Sequence, residues 1–287
     1  MKLHRIIISS VLLLSLSACM GVKFTYNNLD WLLPWYVEDY ITLTEIQEEQ
    51  FEQEFEDLWA WHRENELPKY VASLKQLEDD IAGDAITLEK IIAYQDEAQE
   101  HYLVTAQRVV SQGIDLMSSL SDEQLVEMKE IIMEEMAEYE ERVFESSKEE
   151  RIKKRIRNTE KSFRRWIGKL TNKQKILIEQ WGSDLESLYE YGFQYTVASR
   201  KAFFAAMERR GDKEYLRERL LFLTVERDQL HTKEHLEARE RNRDKTRQLL
   251  LTIKDTLTKN QRERLIRKIK NYREPLEELA AEAASAG

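Results

Sequence analysis

Apolar residues return every three or four positions through most of this chain and almost never in strict alternation. From residue 122 onward Leu125, Met128, Ile132, Met136, Tyr139 and Val143 fall on one stripe, with charged residues between them. That period is one buried face of an α-helix, and no β-branched run lasts long enough for a strand. The spacing predicts helices over 45–82 with a break near Pro68, then over 88–118, 122–168, 172–210, 213–256 and 259–283. Long helices with short turns imply an elongated bundle of antiparallel hairpins. With only 8 Gly and 3 Pro, and with Glu, Lys, Arg, Leu, Ala and Gln abundant, the fold class is all-α.

The helix starts share one local pattern. It occurs as Leu43-Thr44-Glu45-Ile46-Gln47, Leu120-Ser121-Asp122-Glu123-Gln124, Leu170-Thr171-Asn172-Lys173-Gln174 and Leu257-Thr258-Lys259-Asn260-Gln261. Each reads as a capping box. The Ser or Thr oxygen accepts from the N3 amide, the Gln reaches back to the N-cap amide, and the leading Leu can staple onto the helix. Residues 43–58 and 170–185 match at seven of sixteen positions, and the halves reach Gly83-Asp84 and Gly211-Asp212 at corresponding places. A glycine there suits a helix end, and Asp or nearby Thr87 can cap the next helix. The expectation is an internal duplication, with helical units at 43–169 and 170–287.

Before these units the chain has a different character. Lys2, His4 and Arg5 precede the apolar stretch Ile6 to Leu16 and then small residues. A cationic leader, a short apolar run and a small-residue site form a secretory signal, here 1–18, and the run is too short to span a bilayer. Leu16-Ser17-Ala18-Cys19 resembles the bacterial lipobox. The resemblance implies diacylation of the Cys19 thiol, cleavage before it, and acylation of the new amino terminus. Several buried chains, at about 0.8 kcal/mol per CH₂, hold a body where one would be marginal. With Met20 next, enteric-type sorting would deliver it to the outer membrane with the body in the periplasm. Cys19 is the only cysteine, so neither a disulfide nor a thiolate metal site is expected.

The segment 19–42 is rich in aromatics: Phe24, Tyr26, Trp31, Trp35, Tyr36 and Tyr40. Trp31, Trp35 and Tyr36 could sit at headgroup depth in the membrane interface. The favoured expectation is that the segment folds back onto the bundle, since Asp30, Glu38 and Asp39 would suffer beside anionic headgroups.

Charge sharpens the contrast between the halves. Residues 43–169 hold 31 acids and 17 bases, and residues 170–287 hold 20 acids and 24 bases. Solvated helix faces explain most of this, and complementary fields would favour docking of one half on the other. Arg151 to Lys175 holds eleven bases and one acid, Glu160, with Phe163 and Trp166 interleaved. In an exported protein this is no nucleic-acid site. Anionic envelope material could meet it, and an internal contact with the acidic stretch Glu38 to Glu100 is the stronger expectation.

Catalytic signatures are missing. There is no Gly-x-Ser-x-Gly elbow, no phosphate-binding glycine loop and no nucleophilic cysteine. His231 and His235 stand four apart, as a two-histidine metal site needs, but the Glu of the metalloprotease motif does not follow the first. An exposed polar face is the expected setting for them, and a third ligand, such as Glu226 or Asp228, is not indicated. Glu97 and His101 read as a helix salt bridge. No cofactor is expected.

The Leu-Thr-x-x-Gln boxes resemble the motif of the Spy and CpxP type of periplasmic chaperones and stress adaptors. That resemblance implies two boxes per chain in curved helical dimers that cradle unfolded clients without ATP, so four boxes would make this chain a fused pseudo-dimer. The run from Tyr26 to Tyr40, Tyr-Asn-Asn-Leu-Asp-Trp-Leu-Leu-Pro-Trp-Tyr-Val-Glu-Asp-Tyr, followed by Leu43-Thr44, resembles the opening of an uncharacterised proteobacterial lipoprotein family. The functional expectation is a membrane-anchored, non-enzymatic helical binding module with client or envelope-protein partners, as chaperone or stress adaptor. A scaffold lipoprotein of one envelope complex is the first alternative. A metal-dependent hydrolase using His231 and His235 is the second.

Overall fold

The structure, a computed structural model, describes residues 20–286. The signal segment 1–18 and Cys19 lie outside the described residues. The described chain is all helical, an elongated bundle. In chain order the helices are α1 Met20–Asn27, α2 Leu29–Glu38, α3 Glu45–Asn65, α4 Leu67–Ala82, α5 Leu88–Ser119 and α6 Asp122–Glu145. Then come α7 Lys148–Ile167, α8 Asn172–Asp184, α9 Tyr189–Met207, α10 Lys213–Thr224, a 3-10 turn Arg227–Leu230, α11 Lys233–Asp255 and α12 Lys259–Ala286. No described helix is long and apolar enough to cross a membrane.

The break at Pro68 is where it was expected, with Pro near the start of α4 and Glu66 at the joint. Three helices read as continuous are each broken. The stretch 122–168 divides at Ser146 and Ser147. There Ser147 accepts from the Glu150 amide and Glu150 from the Ser147 amide, a further capping box of the Glu type. The stretch 172–210 opens at 185–188, because Asn242 of α11 accepts from the Glu186 amide at 2.9 Å and donates to its carbonyl at 3.0 Å. A remote side chain thereby replaces helical hydrogen bonds. The stretch 213–256 is interrupted by the 3-10 turn, after which Thr232 caps α11. Segment 20–42 is itself helical.

Packing interlocks the halves. The long α12 lies along α4, α9 lies on α6, and α5 lies beside α10. Each half thus lends its last box helix to the second helix of the other. The cores follow suit. One joins Ile114, Leu120 and Met128 to Met207, Leu216 and Leu220, another joins Ile81, Ile86 and Ile91 to Ile269, and a third joins Leu67 to Leu279. Close approach of α7 to α8 depends on Gly182, where an added Cβ would collide with the Ile156 side chain.

Candidate functional site

The four boxes form as their residues demand. Thr44, Ser121 and Thr171 accept from the amide three residues on, and Gln47, Gln124 and Gln174 return the bond. Thr258 and Gln261 do the same at 3.2 and 3.0 Å. Leu120 and Leu170 are buried, while Leu43 and Leu257 are half-buried. Each glutamine also does something the spacing alone did not reveal. Gln47 and Gln124 hydrogen-bond to each other amide to amide at 3.2 and 2.7 Å, and Gln174 and Gln261 do so at 2.9 Å both ways. The same NH₂ groups reach the backbone just ahead of the partner box: Gln47 to Ser119 O, Gln124 to Thr42 O, Gln174 to Thr256 O and Gln261 to Lys169 O. Only an amide caps with its oxygen and still donates twice. Four Gln and no Glu was the available signal.

The Gly-Asp corners dock on boxes of the opposite half. Arg210 donates to Leu120 O and pairs with Asp122 at 2.6 Å. Conversely Arg262 donates to Ile81 O at 3.1 Å and pairs with Asp84 at 2.9 Å, which holds the Asp84 carboxyl below the ordinary range. Asp84 carries the left-handed φ of 55° while Gly83 does not, and the next caps are Thr87 and Asp212.

The N-terminal segment packs on the bundle. Tyr26 stacks on Trp59 at 3.9 Å and meets His62 Nδ1 at 2.9 Å, Lys23 bridges Glu278 and Glu282, and Thr42 bonds Glu127. Trp35 and Tyr36 stay exposed. Trp31 lies in α2, with its side chain outside the described residues.

The histidine pair corrects its expectation. His231 and His235 are not on an exposed face. Their side chains are shielded, their Nδ1 atoms are 2.8 Å apart, and Tyr195 and Tyr191 stack on them. Because α9 covers this turn, burial pushes both imidazoles below the ordinary range, His231 to about 4. Asp228 lies 3.8 Å from His231 but pairs with Arg239 at 2.8 Å, and Glu226 bonds Gln229. Among the described residues no three potential metal ligands gather. His101 lies 3.9 Å from Glu97, yet its closer contact is Glu66 at 3.1 Å, a fully buried carboxylate that also pairs with Lys69.

The basic run is a second correction. Among the described residues none of its side chains pairs with the acidic stretch 38–100. Arg155 donates to Gly182 O, Arg151 to Val143 O, and Arg164 pairs within its own helix. The reason is that α7 packs on α8 and α12 and turns its charged face to solvent. Arginines of α11 and α12 meet the first half instead: Arg262 at Asp84, Arg273 at Glu78 and Arg247 at Gln95.

What α7 leaves beneath it is an apolar concavity. A groove of about 790 Å³ runs between the halves, walled by α4, α5, α7, α11 and α12. Its lining is almost wholly apolar, including Leu77, Ile86, Phe163, Trp166, Leu250, Ile253 and Ile269. Of its lining charges, Lys254 and Arg262 both pair with Asp84. Asn158 and Ser162 of α7 are exposed and form part of the rim. Sequence reasoning missed this site, because its apolar lining reads as ordinary core.

A helical protein with paired boxes and an apolar groove is the class these features define. A family model described as a family of unknown function, DUF6279, matches residues 39–236, and the chain belongs to that family. The match spans the first three boxes and both Gly-Asp corners. No curated protein and no solved structure matches the chain.

Proposed function

We propose that this protein is a non-enzymatic binding protein that holds apolar ligands in the groove between its halves, tethered to the bacterial envelope through Cys19. The single observation that carries the reading is the groove itself. Its volume falls within the roughly 300–1,000 Å³ of small-molecule sites, and its lining is apolar with few polar groups. The boxes recommend no partner by themselves. Their glutamines are buried and spent on one another, so they act as internal struts. The chaperone or adaptor role therefore rests on the groove too. The recurrence of box pairs and crossed corners favours descent by duplication, with each unit completing the other.

Two measurements test this. The neutral solvatochromic dye Nile red should bind the full chain carrying Cys19→Ser near one to one, with a blue-shifted emission. Ala98→Trp, placed at an exposed groove-lining position, should weaken binding at least tenfold. Equal binding by both proteins would sink the reading. In cells, Cys19→Ser should move the folded body out of the membrane fraction. If it still pellets with membranes, the tether lies elsewhere, with Trp35 and Tyr36 as the exposed candidates.

A further inference from the structure

We infer that the groove takes an anionic amphiphile, an acyl chain lying on its apolar walls with a phosphate-bearing head at the cationic face of α7. This rests on the groove being a binding site and goes on to name the ligand class. Three observations lead there.

The first is the polar bookkeeping of the walls. An extended peptide brings a donor and an acceptor with every residue, and burying them without partners costs a few kcal/mol each. The groove has few groups to receive them. Gln95 is engaged by Arg247, and Thr246 by Trp181 and the Asn242 carbonyl. Arg262 and Lys254 are held by Asp84. An acyl chain makes no such demand.

The second is the charge of α7. Its residues Asn158 and Ser162 form part of the groove's rim. Three or four residues from them, one helical turn away, lie Lys154, Lys161 and Arg165, with Arg157 adjoining. Among the described residues these four cations make no ion pair, whereas most arginines of α11 and α12 are paired. Like charges at this spacing repel, and an anion settling there lowers that repulsion.

The third is the arrangement of the two features. Phe163, Trp166 and Ile167 of α7 face the groove while Lys154, Arg157 and Lys161 face water. One helix therefore presents an apolar wall and a cationic border side by side. That is what a ligand with a greasy tail and an anionic head requires. A neutral apolar ligand would have no use for the border, and a free phosphate none for the wall.

The test is displacement of Nile red from the full chain carrying Cys19→Ser by two lysolipids of the same acyl chain, below their micelle-forming concentrations. Lysophosphatidylglycerol carries a net negative head and lysophosphatidylcholine does not. The anionic lipid should displace the dye at a concentration at least tenfold lower. Lys154→Glu with Arg157→Glu and Lys161→Glu, all at exposed positions, should shrink that gap below twofold while circular dichroism stays helical. Equal displacement by the two lipids overturns the head-group assignment and leaves apolar binding standing. An undiminished gap in the charge-reversed protein also overturns it. Displacement by a reduced, unfolded protein at lower concentration than by the anionic lipid overturns it in favour of a client protein. A chain that binds no Nile red fails earlier, and the proposed function fails with it.

Discussion

Two junctions join the halves, and one is shut while the other is open. At the first, the Gly211-Asp212 corner sits on the box around Gln124, tied by Arg210 to Leu120 O and Asp122. Beneath it Ile114, Met207 and Leu216 are all but inaccessible, and Ile41 from the N-terminal segment closes the outside. At the second, the Gly83-Asp84 corner sits on the box around Gln261 through Arg262. Here the same device leaves a groove, with Trp166 and Leu250 only half covered. The difference teaches where ligand capacity comes from. The box pairs and corners occur at both junctions, so they do not create the opening. The added wall is α7, a helix that follows the second box helix of the first half and packs on α8 and α12.

The comparison can be broken at several strengths. The largest effect should come from emptying the shut junction. Leu216→Ala removes a fully buried side chain and should cost about 2–5 kcal/mol by urea denaturation, whereas Leu250→Ala on the open wall should cost less than about 1 kcal/mol. Similar losses would mean that the groove is closed in solution.

Next is the glutamine strut of the second half. Gln174→Leu orphans the buried amide of Gln261 and removes a cap, for an expected loss of about 2–4 kcal/mol. Adding Gln261→Leu should cost little more, because both partners are then gone. Full additivity in that double-mutant cycle would show that the two amides are not coupled.

Acid should act on the shut side before the groove side, because the His231 and His235 pair packs against α9. Burial, with repulsion from His235, holds His231 at about 4 when folded. In the unfolded chain an imidazole protonates near about 6.5. The stabilisation is therefore present above about pH 6.5 and lost as pH falls toward 4. Hydrogen exchange should show α9 and α10 losing protection in that window. A flat stability profile from pH 7 to 4.5 would refute it.

The smallest effect tests the wall that makes the open junction. Gly182→Ala pushes a Cβ into Ile156 and should cost about 1–3 kcal/mol, and Ile156→Val should recover part of it. If α7 tolerates alanine without loss, its seating on α8 is looser than the contact implies.

Local chemistry made much of the molecule legible. The helical class, the four boxes and the break at Pro68 follow from rules that operate within one turn of helix, and the residues obey them. What failed was continuity. The helix at 185–188 opens because Asn242, 56 residues away, takes the Glu186 backbone, and no local pattern announces that. The break at Ser147 is a Ser-x-x-Glu capping box, a local signal that the apolar period does not carry. The histidines looked exposed because their helix is charged; α9 covers them from elsewhere in the chain.

The sequence by itself determined the helices, the caps and the identity of the four glutamines, since each depends on contacts three or four residues apart. Only the tertiary structure decided that those glutamines pair across each half, that each half completes the other's core, and that one junction stays open. Those outcomes depend on which surfaces meet, and an apolar residue reads the same in a sequence whether it fills a core or lines a groove.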